Sequence, residues 1–548
     1  MANAHRHDGA RASAGDLGFD AIIIGAGFSG LYQLYSLRER LQLSVRVLER
    51  AADVGGTWYW NRYPGARCDS ESYSYSFSFS EHLEQEWNWS ERYPAQPEIM
   101  RYLRHVAERF DLRRDIDFNT EVVSARFDEG RGRWLVTTAC DRVFSATYLI
   151  TAVGCLSATN VPTIDGLEDF RGQWYHTGNW PPAGVDFHGR RVGQIGTGST
   201  GIQAAPVIAA QAAHLYVFQR TPNFSIPARN APLAPQAQAE IKQNYAEIRR
   251  IMRQSTNGHP FLLSPQSALE VTPEERRARY EAAWQHGGLR FRATFRDLLT
   301  DRRANDTAAD FIREKIRDIV VDPAIAERLM PRDHPFAAKR PPIDTDYFET
   351  FNRDNVTLVD LRTLPIERIT PSGIKTAGAE YPLDIIVFAT GFDAMTGPLL
   401  GFDLRGRGGR ALRDVWAVGP KTYLGLQIAG FPNLFTITGP GSPSVLCNMP
   451  VPIEQHVEWI TDCIGFMRAH DLAFIEATED AMARWGTEVA AAAAATLLPE
   501  AASSWYLGAN VPGKPRVFMP YPGGMAHYRG LCDQVAANAY AGFRLSAG

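Results

Sequence analysis

Two short glycine-rich segments hold residue types that can seat a phosphate chain: Gly25-Ala-Gly27-Phe-Ser-Gly30 and Gly196-Thr-Gly198-Ser-Thr-Gly201. The first glycine of each makes a tight turn, the second lets a pyrophosphate approach the backbone, and the third lets a helix pack closely on a strand. The free N–H groups at the start of that helix then face the phosphates. One such motif is weak evidence, since 46 glycines in 548 residues supply roughly 0.3 matches by chance. The pair carries weight because each copy sits between an aliphatic strand and an amphipathic helix. The residue that ends the next strand separates the two motifs. Glu49 lies 24 positions after Gly25, where a carboxylate accepts hydrogen bonds from ribose hydroxyls. At the same offset from Gly196 stands Arg220, which pairs with a 2′-phosphate that a carboxylate would repel. FAD is therefore expected on the first motif and NADPH on the second. The plainer reading of Arg220 is a solvated surface cation.

The elements that must position these motifs are legible along the chain. Phe19 to Ile24 and Val45 to Leu48 are short aliphatic strands, with Leu31, Leu34, Tyr35 and Leu37 at helical spacing between them. Val192 to Ile195 and Leu215 to Phe218 repeat that order around the second motif, and Tyr148 to Gly154 and Leu383 to Gly391 are two further aliphatic runs. The fold class is α/β, with two Rossmann-like dinucleotide-binding domains and an all-helical insertion. In the insertion Ile241, Tyr245, Ile248 and Met252 fall on one helical face. Thr272-Pro-Glu-Glu275 predicts a helix start, with Thr272 as cap and Glu275 reaching back. The expected division gives 19–157 and 390–548 to the FAD domain, 158–227 and 339–389 to the NADP domain, and 228–338 to the insertion.

Composition narrows the partners. Hydrophobic residues are 45% and charged residues 22%, a soluble globular balance, and a net charge of −4 argues against nucleic acid or an anionic membrane. No apolar run approaches a membrane span, and the alanine-rich stretch Val489 to Leu498 reads as a packed helix. Residues 1–18 read as a loose polar tail without a signal-peptide core. The six cysteines, Cys68, Cys140, Cys155, Cys447, Cys463 and Cys532, form no close pair, so neither a disulfide framework nor a metal site is expected. A reducing cytoplasm is the expected location. The sequence leaves the oligomeric state open.

A stronger signal precedes the second glycine motif. Phe170-Arg-Gly172-Gln-Trp-Tyr-His176-Thr-Gly-Asn-Trp180-Pro181 matches FxGxxxHxxxW(P/D), the fingerprint of type I Baeyer–Villiger monooxygenases. Chance supplies about one such match in ten thousand chains of this composition. Gly56-Thr-Trp58-Tyr-Trp-Asn-Arg-Tyr63-Pro64-Gly65-Ala-Arg-Cys-Asp69 resembles that family's second signature, GxWxxxxYPGxxxD. Similarity continues through Lys339-Arg340, the run from Asn352, the segments ending at Gly397 and starting at Gly439, and Ser504 to Arg516, so it spans about 19–545. The chain looks nearest to the phenylacetone and steroid monooxygenases, with the cyclopentanone and cyclohexanone enzymes further off.

The resemblance implies a reaction and its residues. The reaction would use NADPH and O2 to turn ketones into esters or lactones through a C4a-peroxyflavin, with no nucleic-acid or membrane partner. Arg340 matches the family's active-site arginine, whose permanent charge would stabilise developing anions. Asp69 matches its partner carboxylate. The implied FAD contacts are Gly25, Gly27, Ser29, Gly30, Glu49, Thr57, Trp58, Tyr59, Trp60, Asp69, Ser70, Tyr75, Val122 and Met449. The implied NADP contacts are Arg67, Cys68, Thr197, Gly198, Ser199, Thr200, Gly201, Gln203, Arg220, Thr221, Lys339, Arg340 and Trp505. His176 is read as structural or conformational. Pro443 to Met449 resembles the active-site loop of the phenylacetone and steroid branch, which implies tolerance of cyclic, aryl and bulky ketones.

Each role has a plainer competitor. Arg340 could pair with a surface acid, Asp69 could close a turn, and Trp505 and Met449 could be core. The alternative function is a flavin-dependent N- or S-oxygenase of the same architecture. A disulfide reductase would need a second cysteine near Cys68, and none is there.

Overall fold

The computed structural model describes residues 17–547. Aliphatic runs without alternation bury both faces, as strands of a parallel sheet do. β1 (Leu17–Ile24) accordingly lies between β2 (Val45–Leu48) and β3 (Val143–Thr151), with Ile24 opposite both Leu48 and Thr151. α1 (Phe28–Tyr35) comes directly after β1 and leads by a π-helical turn, Ser36–Arg40, toward β2. An antiparallel pair, Val122–Asp128 and Arg133–Thr138, extends the sheet beyond β3. Ile116–Asp117 pairs beyond β2, and Asp403–Arg405 and Leu434–Thr436 join the sheet from far along the chain, making eight strands.

The second unit repeats the plan. β4 (Arg191–Ile195) leads to α2 (Ser199–Gln211), then β5 (His214–Gln219), and β6 (Ile385–Phe388) returns to lie beside β4. With Val356–Asp360 and Gln173–His176 at its edges, this sheet has five parallel strands. The echo reaches the backbone angles. Gly25 has φ +105° and Gly196 φ +109°, a region that glycine alone enters readily. A Cβ at Gly25 would come within 2.6 Å of the Ala152 carbonyl oxygen, and one at Gly196 within 2.4 Å of that of Ala389. Each turn is thus backed by the end of an aliphatic run.

Between residues 228 and 338 the chain forms helices at Pro235–Gln243, Tyr245–Gln254, Pro273–His286, Arg302–Ile319 and Pro323–Leu329. The face read from Ile241 to Met252 is not one helix. The chain breaks at Asn244, whose side chain turns back to the Glu240 carbonyl at 2.7 Å. Met252 packs into the core of the first unit, whereas Trp284 and Phe311 pack with the second.

Thr272 caps its helix, its hydroxyl accepting from the Glu275 N–H at 3.2 Å. The Glu275 carboxylate does not reach back. It pairs with Arg279 at 2.6 Å, one turn on, where a charged partner is available. The alanine-rich run is helical only as far as Ala494, at the end of the helix Glu479–Ala494. Of the tail read over 1–18, Leu17 and Gly18 already belong to β1, and the rest lies outside the described residues. Among the described residues no helix is long and apolar enough to cross a membrane. All six cysteines are free thiols.

Candidate active site

A cavity of about 800 Å³ joins the two glycine turns. Of the expected FAD contacts, Gly25, Gly27, Ser29, Glu49, Thr57, Trp58, Trp60, Asp69, Ser70, Tyr75, Val122 and Met449 line it. Of the expected NADP contacts, Cys68, Thr197, Gly198, Ser199, Thr200, Arg220, Thr221, Lys339, Arg340 and Trp505 do so. Gly30, Tyr59, Arg67, Gly201, Gln203 and His176 lie outside its lining.

Those outside it build the walls. A Cβ at Gly30 would overlap the Gly25 carbonyl oxygen, and one at Gly201 would stand 2.3 Å from that of Gly196, so both let a helix seat against its turn. Gln203 ties the units together: its Oε1 accepts from the Tyr63 hydroxyl at 2.7 Å and its Nε2 donates to the Arg67 carbonyl at 3.1 Å. Gly65 presses against the same turn of α2, where a Cβ would come within 2.4 Å of the Gln203 carbonyl oxygen. The Tyr-Pro-Gly signature therefore marks a close contact between the two units. Arg67 is held by the Tyr93 carbonyl at 2.9 Å and by Glu91 at 3.3 Å. Tyr59 packs edge-on to Trp60 under the Arg62 guanidinium.

The two turns differ in charge and depth. Glu49 is buried, and its two oxygens accept the backbone N–H groups of Ala26 and Ala51, each at 2.7 Å. Burial raises its pKa against the pull of those bonds. In the second unit Arg220 is exposed and Lys339 half-buried, and neither has an ion-pair partner among the described residues. Burial, with Arg220 adding to it against the pull of Asp333, brings the Lys339 pKa down to about 8. Two unmatched cations within electrostatic reach of each other at a cavity wall suit a phosphate dianion.

Where the units meet, Arg340 makes a two-pronged pair with Asp69, Nε to Oδ2 at 2.6 Å and Nη2 to Oδ1 at 2.8 Å. Its Nη1 donates to the Val445 carbonyl at 2.8 Å, with that of Cys447 at 3.5 Å. Burial opposes both charges, yet the pairing raises the Arg340 pKa and lowers that of Asp69. The Pro443–Met449 loop is therefore held by Arg340, and by its own Asn448, which donates to the Ser74 carbonyl at 2.8 Å. Val445 and Met449 line the cavity and Leu446 does not.

Trp505 is half-buried, its ring 4.5 Å from that of Tyr506. The segment beyond it is fastened by Lys514 to Asp393, and by the Asn510 side chain donating to the Phe392 carbonyl at 2.8 Å. His176 is buried at the end of a strand beside β6, its Nδ1 accepting from the Gly178 N–H at 3.0 Å and its ring edge-on to Phe392. Burial, against backbone contacts, takes its pKa down to about 4, so the ring is neutral.

Sequence reading missed three neighbours of the Arg340–Asp69 pair. His259 is buried beside it, stacked on Phe261, with an unpartnered Nε2; burial and Arg340 bring its pKa down to about 3. Tyr506 and Arg292 lie within electrostatic reach of Arg340. No motif flags His259 or Arg292, and Tyr506 lies in the Ser504–Arg516 likeness without a role read for it, because loops far apart in sequence bring the three together. Among the described residues no cluster of His, Cys, Asp or Glu could hold a metal.

The fold and this site define a two-dinucleotide oxidoreductase with a fixed cation between its nucleotide units. The flavin-binding monooxygenase-like family matches residues 20–229. The "Baeyer-Villiger monooxygenase" of Pseudooceanicola batsensis is 46% identical over 95% of this chain and 95% of its own. The phenazine N-monooxygenase of Lysobacter antibioticus is 44% identical over 96% of this chain and 97% of its own. A solved steroid monooxygenase, oxidised and bound to NADP, is 55% identical, covers 97% of this chain and 100% of its own, and superposes with a TM-score of 0.92. The chain belongs to the family of flavin-dependent Baeyer–Villiger monooxygenases.

Proposed function

We propose that this chain holds FAD on the first glycine turn and NADPH on the second, and converts ketones into esters or lactones. Ketone, NADPH, a proton and O2 give ester, NADP⁺ and water. The residues fit both groups. Gly198 leaves open space where a side chain would project, a Cβ at Gly27 would already touch the Gly56 Cα at 3.4 Å, and Lys339 and Arg220 await an anion. Bound flavin supplies the activation and transfer of oxygen, and NADPH the hydride. The chain supplies binding and electrostatics.

The observation that carries this reading is the Arg340–Asp69 pair at the junction of the two units. A guanidinium stays protonated at any working pH, so it stabilises negative charge developing on the ketone oxygen without donating its proton. Asp69 and the Val445 carbonyl fix its plane, so no reorganisation is needed when that charge appears. Glu49 would hold ribose hydroxyls, Arg220, Lys339 and Thr221 would hold the 2′-phosphate, and Trp505 would lie by the nicotinamide. His176, neutral and packed on Phe392, serves as a conformational link between the units. The strand membership of the two sheets supports dividing the chain into FAD segments 19–157 and 390–548 and NADP segments 158–227 and 339–389, with 228–338 as the helical insertion. Six free thiols favour a reducing compartment, the cytoplasm. Cyclic, aryl and bulky ketones are the substrate class.

The test is Arg340→Ala, assayed by stopped flow. Flavin reduction by NADPH should persist, while ester formation falls at least about 100-fold. Unchanged ester yield would overturn the assignment. Nitrogen oxidation is the second reading, favoured by the likeness to a relative named for that activity.

A further inference from the structure

A second guanidinium, within electrostatic reach of Arg340, has no counterion among the described residues. Arg292 belongs to the 3-10 turn Leu289–Ala293 of the helical insertion. Its surroundings are those of the site: it lies within electrostatic reach of Tyr506, Arg340, Cys447 and Asp69. The residue is partly buried, its Nε is shut off from solvent, and it makes no hydrogen bond or ion pair among the described residues. Arg296, four positions on, shows the ordinary arrangement by pairing with Glu270 at 2.5 Å.

A guanidinium drawn out of water without a partner is costly, and such groups are normally paired. Asp69 does not serve, because both its oxygens are engaged by Arg340. His259 is held neutral, and Cys447 and Tyr506 keep their protons because burial raises their pKa values. The charges therefore sum to one uncompensated positive charge. Arg292 is also absent from the lining of the cavity between the glycine turns, so the phosphates expected there do not match it. What remains is a ligand that reaches Arg340 with one end and Arg292 with the other.

We propose that Arg292 binds a carboxylate carried by the ketone substrate, while the carbonyl sits at Arg340. The proposal rests on the assignment of Arg340 as the carbonyl site. A planar guanidinium matches a carboxylate in a two-pronged pair. It discriminates strongly, because a neutral analogue leaves the buried cation unpaired.

The probe is a cyclohexanone bearing a ring carboxylate, compared with its methyl ester. Binding of each to the oxidised holoenzyme with NADP⁺ is measured by calorimetry at low salt, for the wild type, Arg292→Gln and Arg292→Lys. The acid should bind the wild type about tenfold tighter than the ester. Arg292→Gln should bring that ratio near one, and Arg292→Lys should keep part of it. The same ratio should appear in kcat/KM for lactone formation. Equal binding of acid and ester by the wild type would overturn the proposal, whatever the variants do. So would an unchanged ratio in Arg292→Gln. If the acid is preferred in binding and the preference needs Arg292, but neither ketone is oxygenated, the anion site stands and the ketone reaction fails. If both are oxygenated without preference, the reaction stands and this inference fails.

Discussion

The two glycine turns have nearly the same backbone and opposite electrostatics. Gly25 and Gly196 share their φ within a few degrees, and each is backed by a carbonyl at the end of an aliphatic run. Past the turn they diverge. The first unit ends its second strand in a buried carboxylate already bonded to two backbone N–H groups. The second ends in an exposed arginine, with a half-buried lysine nearby, and neither cation is paired among the described residues. On the proposed assignment, the shared backbone turn seats a dinucleotide, and the charge at the strand end separates free ribose hydroxyls from a 2′-phosphate.

The largest expected break is in the shared part. Gly25→Ala puts a Cβ within 2.6 Å of the Ala152 carbonyl oxygen at a positive φ, so the turn must move. The purified variant should be colourless or insoluble, checked by flavin absorbance per protein. Gly198→Ala is the contrasting change, because its Cβ meets nothing within 4 Å. That variant should keep full flavin content and lose only NADPH affinity, read as a rise in KM.

Changing charge rather than shape should do less. Arg220→Ala should raise the KM for NADPH about tenfold and leave that for NADH nearly unchanged, the low end for a charge-assisted bond because Arg220 is exposed. Equal effects on both coenzymes would remove the 2′-phosphate from the account.

The smallest effect is in pH. Lys339 has its pKa lowered to about 8, so it is charged below that value and loses its proton above it. Binding a phosphate should draw the proton back. The KM for NADPH should therefore be flat below pH 8 and rise above it by at most about tenfold per pH unit, while that for NADH stays flat. A parallel rise for both coenzymes would place the titrating group elsewhere.

How much the sequence discloses obeys the same division. The strands, the turns and the charges at offset 24 are local, and residue types spell them directly. Three readings failed where local detail won. Asn244 took the Glu240 carbonyl and broke a helix, Arg279 took Glu275 from the cap, and the alanine run ended before its last residues. The Arg340–Asp69 pair joins residues 271 positions apart, so only family likeness pointed to it. Arg292 and His259 carry no motif, and Tyr506 lies in the Ser504–Arg516 likeness without a role read for it, since their meaning comes from what the tertiary structure sets beside them.

The central claim is that oxygen is delivered beside a ketone carbonyl held at Arg340. The direct measurement supplies the wild-type holoenzyme with NADPH, isotopically labelled O2, and a mixture of a cyclic ketone and an aromatic N-heterocycle, with products identified by mass spectrometry. The account predicts lactone carrying one labelled oxygen as the main product. Labelled N-oxide with the ketone returned unchanged would contradict it.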